Sequence, residues 1–124
     1  MSLATVRSTL KNAIASNSNY SVFDHVPEVI IPPCVVLVAG DPYLEPLVIG
    51  NNRGFTVRFR IEVIGQTFSA PSALENLEND INTVLGLIPV KWSITGVSSP
   101  RLRPTNSTDL YSVEIDIQTT YSAS

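Results

Sequence analysis

Apolar residues recur along this chain with two distinct periods. Over 3–16, Leu3, Val6, Leu10, Ala13 and Ile14 fall at helical spacing with Arg7, Lys11 and Asn12 between them. This predicts an amphipathic helix with Ser2 as its N-cap, ended by the Asn/Ser cluster at 16–19. Residues 20–33 contain Pro27, Pro32 and Pro33 and are expected to form an irregular connection, anchored to the core by Val22, Phe23 and Val26. Cys34 to Ala39 is continuously apolar, as suits a strand covered on both faces, and Gly40 and Pro42 close it.

Strict alternation marks the next strand. Phe55, Val57, Phe59, Ile61 and Val63 point one way, while Thr56, Arg58, Arg60 and Glu62 point the other. Ser72-Ala73-Leu74-Glu75 then has the form of a capping box. Leu74, Leu77, Ile81, Val84, Leu85 and Ile88 make the apolar stripe of a second helix, which Gly86 and Pro89 are expected to stop. Two strands finish the chain, one alternating through Val90, Trp92 and Ile94, the other through Tyr111, Val113, Ile115, Ile117, Thr119 and Tyr121. The order helix, strand, strand, helix, strand, strand predicts one α+β domain over 1–124. Its sheet is expected to be four-stranded and mainly antiparallel (mixed), with two helices packed on one face.

A chain of 124 residues is long enough for a single core without staples. Only 15% of it is charged, below the ~25% usual in soluble domains, so more surface than usual is neutral and available to a partner. No apolar run approaches the ~20 residues a membrane helix takes, so no membrane partner is expected. MSLATVRSTLKNAIASN lacks the apolar core of a secretory signal, which places synthesis in the cytoplasm. A net charge of −3 opposes phosphate binding in bulk.

Candidate chemistry is sparse. The single histidine, His25, adjoins Asp24, and adjacent residues seldom orient one another as a catalytic base requires; it reads as a structural or surface group. Cys34 lies inside an apolar run and reads as a small buried hydrophobe. Asp41, Glu45, Glu62, Glu114 and Asp116 are not spaced as an EF-hand or zinc site, and no glycine-rich phosphate loop occurs. Glu114 with Asp116, and Arg58 with Arg60 and Glu62, read as cross-strand ion pairs on a solvated sheet face. The expectation is therefore no enzyme, with no catalytic, metal or cofactor-binding residues. Segments 40–54 and 98–109 read as long loops, stiffened by Pro42, Pro46, Pro100 and Pro104, which lowers the entropy cost of ordering them against a partner.

These pieces together resemble a known family. The N-terminal helix, the Pro-Pro-x-Val-Val-Leu-Val strand running into Gly40-Asp41-Pro42-Tyr43, the Phe-Thr-Val-Arg-Phe strand at 55–59, the helix after Ser-Ala-Pro-Ser (69–72) and the two closing strands are similar to the small tail terminator (tail completion) proteins of long, non-contractile-tailed bacteriophages. The resemblance implies a structural virion protein at the head-proximal end of the tail. Six copies would form a ring that caps the tail tube, ends its polymerisation and offers the surface for head joining. Its partners would be further copies of itself, the tail tube protein and a head-completion or connector protein. DNA would pass through the lumen without specific binding, and six copies at −3, about −18 in all, would let it slide.

The residues expected at a subunit or partner interface are Asp41, Pro42, Tyr43, Glu45, Arg101 and Arg103. Tyr43 would be a rigid contact, and Asp41 or Glu45 would pair with Arg101 or Arg103 of a neighbouring subunit. Two other readings fit the same residues: a different head-tail connector or head-completion (neck) protein, and a small ligand-binding α+β domain.

Overall fold

Val6, Leu10 and Ile14 fall on one face of α1 (Leu3–Ala15), and that face is buried. The computed structural model describes residues 3–16, 20–25, 33–46, 54–67, 71–104 and 109–122. After α1 come β1 (Ser21–Phe23), β2 (Cys34–Pro46), β3 (Gly54–Thr67), α2 (Ala73–Leu87), β4 (Ser93–Val97), β5 (Arg101–Pro104) and β6 (Asp109–Ser122). The Ser2 cap, residues 17–19 of the Asn/Ser cluster, Val26, and parts of the two expected loops (47–53 and 105–108) lie outside the described residues.

The expected four-stranded sheet is corrected to a six-stranded mixed one, in an α+β domain with two helices. Its order is β1-β2-β3-β6-β4, and β5 lies beside β4 along the same edge of β6. β1 runs parallel to β2, and the other pairings are antiparallel. The two additional strands are β1, within the expected irregular connection, and β5, within an expected loop. Three residues are too few for a period of two to show, and a strand that ends in a proline at a sheet edge reads locally as a turn. β2 also continues to Pro46 instead of closing at Gly40.

β3 is the centre of the sheet. Ile61 pairs with Leu37 on one side and Ile115 on the other, and Phe59 with Ala39 and Ile117. Leu37, Phe59, Ile61, Ile115 and Ile117, with Val35, Val57, Val63 and Val113, meet Val6, Leu10 and Ile14 of α1 and Leu77 and Val84 of α2 in one buried cluster, whereas Ala39 is exposed. Each such side chain, fully buried, contributes about 1.5–3 kcal/mol. The opposite face holds a smaller apolar cluster at one end, Cys34, Val36, Ile64 and Leu110 with Phe23; beyond it the face is largely polar, with Val38 exposed opposite Arg60.

Two helix-end expectations change. Ser72 sits at the N-cap of α2 but its side chain makes no capping hydrogen bond, so the capping box is not formed; Asn76 N–H donates to Ser72 O at 2.9 Å. Gly86 lies within α2, and the helix ends only before Pro89. Val90 and Lys91 form a turn, so β4 starts at Ser93 rather than at Val90.

Candidate interface site

Gly40-Asp41-Pro42-Tyr43 is a bulge inside a strand, not the loop that ends one. The β2–β3 register passes from Ala39↔Phe59 to Leu44↔Val57, so these four residues stand opposite the single residue Arg58. The Asp41–Pro42 peptide is cis. Gly40 approaches β3 so closely that a Cβ there would lie 2.7 Å from Arg58 Cβ and 3.0 Å from its carbonyl carbon. No residue with a side chain fits without displacing β3.

Tyr43 turns inward from the bulge. Its ring meets Phe59 edge-on at 5.6 Å, and Phe59 meets Trp92 at 5.8 Å, which makes an aromatic row across β2, β3 and the start of β4. Tyr43 is half-buried and ties the bulge to the core, while Asp41 and Pro42 remain exposed. Glu45 rejoins the ladder opposite Thr56, and its Oε1 accepts from Arg58 Nη2 at 3.2 Å.

The polar face of the sheet is a set of ion pairs across strands. Arg58 Nε donates to Gln118 Oε1 at 3.2 Å. Arg60 Nε donates to Asp116 Oδ1 at 3.0 Å and lies 3.4 Å from Glu114 Oε2. The Asp116 bond, with the charges of Glu114 and Asp41, pushes the Arg60 pKa up against the opposing effect of burial. On β5, Arg101 Nη1 lies 3.2 Å from Glu114 Oε1 and Arg103 Nη1 donates to Glu62 Oε2 at 2.6 Å.

The structure therefore places the expected interface residues in two groups. Asp41, Pro42, Tyr43 and Glu45 are on β2; Arg101 and Arg103 are on β5, with β3 and β6 between them. Within one chain, Glu45, Arg101 and Arg103 already have partners. A pair between chains has to compete with those bonds.

Two clefts border the bulge. One of about 180 Å³, on the polar face, is lined by Gly40, Asp41, Arg58, Arg60, Thr95 and Asp116 among others. The second, about 300 Å³, lies between α1 and β2 and is lined by Arg7, Asp24, His25, Leu37, Tyr43 and Phe59 among others. In it His25 Nδ1 is 3.2 Å from Asp24 Oδ1, and Arg7 Nε is 3.7 Å from Asp24 Oδ2. The His25 bond, helped by Lys11 and Arg7, holds the Asp24 carboxyl below its usual range. Among the described residues that line it there is no serine, threonine or cysteine for the pair to activate. Burial pushes the Cys34 thiol up, away from the reactive thiolate. Among the described residues no group of three or more His, Cys, Asp or Glu is placed to hold a metal, and no helix is long and apolar enough to cross a membrane.

One surface was not singled out by sequence reasoning. At the β4–β5 edge Ile94, Val97 and Leu102 are 46%, 46% and 47% exposed. The sequence signal was present, because Ile94 alternates with Ser93 and Thr95. Alternation gives the face of a strand but not whether a helix covers it.

No protein-family model matches the chain, and no curated protein matches its sequence.

Proposed function

We propose that the chain is a structural subunit of a virion, a tail terminator. Six copies form a ring that caps the tail tube, ends its polymerisation and provides the head-joining surface. The observation that carries a structural rather than chemical role is the bare apolar edge at Ile94, Val97 and Leu102, surface of the kind that stable subunits cover. The choice of a terminator among virion parts comes from the sequence resemblance around Gly40-Asp41-Pro42-Tyr43. In this reading the bulge is a stiff surface feature, with Asp41 and Pro42 outward and Tyr43 as its internal anchor.

The test is to add the purified chain to the polymerising tail tube protein of the same virion and image the products by negative stain. Tubes that stop growing and carry a ring at one end support the proposal. Tubes that grow unchanged and bare overturn it.

A further inference from the structure

Five strand columns at about 4.8 Å make the sheet roughly 24 Å wide, and two helices at about 10 Å each cover roughly 20 Å of it. α1 lies against β1, and α2 lies against β3 and β6, so the uncovered column is the β4–β5 edge. Ile94 is paired with Ile117, Val97 with Ile115 and Leu102 with Tyr111, which puts all three on the helix side of the sheet. They form the floor of a groove beside α2.

The wall of that groove is the outer flank of α2. Asp80 turns toward the β1 side, where it accepts from Tyr20 Oη at 2.8 Å. At about 100° per residue, Leu74 and Glu78 lie roughly 120–160° around the helix from Asp80 and so face the β4–β5 edge. Leu74 is 45% exposed, and Glu75 and Glu78 are exposed beside it. α2 carries three acidic residues and no basic one.

The other side of the molecule has the opposite sign. α1 carries Arg7 and Lys11 and no acidic residue. Both side chains act on Asp24, just beyond β1 at the far edge of the sheet; Arg7 Nε lies 3.7 Å from Asp24 Oδ2, and a pair with another copy has to compete with that contact. Neither β1 nor β4 has a strand on its outer side among the described residues.

We infer that the groove of Ile94, Val97, Leu102 and Leu74 receives α1 of a second copy of this chain, head to tail, with Lys11 and Arg7 of that copy against Glu78 and Glu75. The helix layer then continues from copy to copy as α1, α2, α1, α2. Such a contact joins two different surfaces and closes only as a ring, where a contact of one surface with itself stops at two copies. The inference deepens the ring reading and takes from it the second copy as occupant.

The test is a charge swap read by sedimentation velocity. Lys11→Glu and Glu78→Lys should each weaken assembly at least about tenfold, by opposing like charges. An equimolar mixture should restore it, since each variant presents the charge the other needs. Circular dichroism confirms that each variant is folded, and Leu102→Asp, which changes no helix, should abolish assembly independently. Wild-type rings whose mass is unchanged by all three variants overturn this interface and leave the ring reading standing. Wild-type protein that forms no ring, even on tube ends, overturns both.

Discussion

Arg103 donates from Nη1 to Oε2 of Glu62 at 2.6 Å, and it does so where Glu62 and Glu114 stand directly opposite each other on adjacent strands. Two facing carboxylates repel, and Glu62 is nearly buried, so the β5 arginine neutralises a charge that water reaches poorly. Arg103→Ala should lower stability by about 2 kcal/mol, the usual loss for a partly buried charged hydrogen bond. Arg101→Ala removes a far more exposed pair and should cost less than about 0.5 kcal/mol. Urea unfolding of the two variants gives the comparison, and equal losses would refute the assigned difference.

Gly40→Ala tests the bulge. The added methyl meets Arg58 Cβ and backbone, atoms that cannot swing aside. A loss of about 1–3 kcal/mol in urea unfolding is expected from the forced backbone shift. Gly96→Ala is the control, because nothing lies within 4 Å of a Cβ there.

Tyr43 serves the core rather than the surface. Tyr43→Ala should destabilise the chain by about 1–3 kcal/mol through lost burial and the lost edge-on contact with Phe59. Trp92, the single tryptophan, packs on the same Phe59, so its fluorescence follows the unfolding directly. A variant as stable as the parent would return Tyr43 to the role of a free contact residue.

Alkaline pH should weaken the fold. Burial raises the pKa of Cys34 above 9.0, and burial together with the Asp80 bond raises that of Tyr20 above 10.0. The folded chain thus holds these protons more tightly than the unfolded one. Their contribution is complete below the ordinary values and is lost as pH rises through the raised ones. Tm measured from about pH 8 upward should fall beyond about pH 9, and Tyr20→Phe should flatten the portion above about pH 10. A Tm unchanged across that range would contradict both assignments.

The long elements were legible because their periods repeat often enough to be seen. α1, β3, α2 and β6 fall close to where Val6 to Ile14, Phe55 to Val63, Leu77 to Val84 and Tyr111 to Tyr121 place them. Arg58, Arg60, Glu62, Glu114 and Asp116 were legible as a polar sheet face, since alternation puts them there. Arg60 pairs with Glu114 and Asp116 within that set, while Arg58 and Glu62 pair with Glu45 and Arg103, residues that read as parts of loops. β1 and β5 were not, because three or four residues carry no period. Pro42 and Pro46 read as loop residues, yet register with β3 resumes at Leu44↔Val57. Which strand ends up outermost is a matter of long-range pairing, and so the exposure of Ile94, Val97 and Leu102 could not be read from their neighbours in sequence.

Self-association is the property on which the proposed role depends, and light scattering on the size-exclusion eluate measures it most directly. A ring of six 13.5 kDa chains gives a species of about 81 kDa, with a central hole in negative-stain images. A species of 13.5 kDa at every concentration, with no ring on tube ends when the tube protein is added, would contradict it.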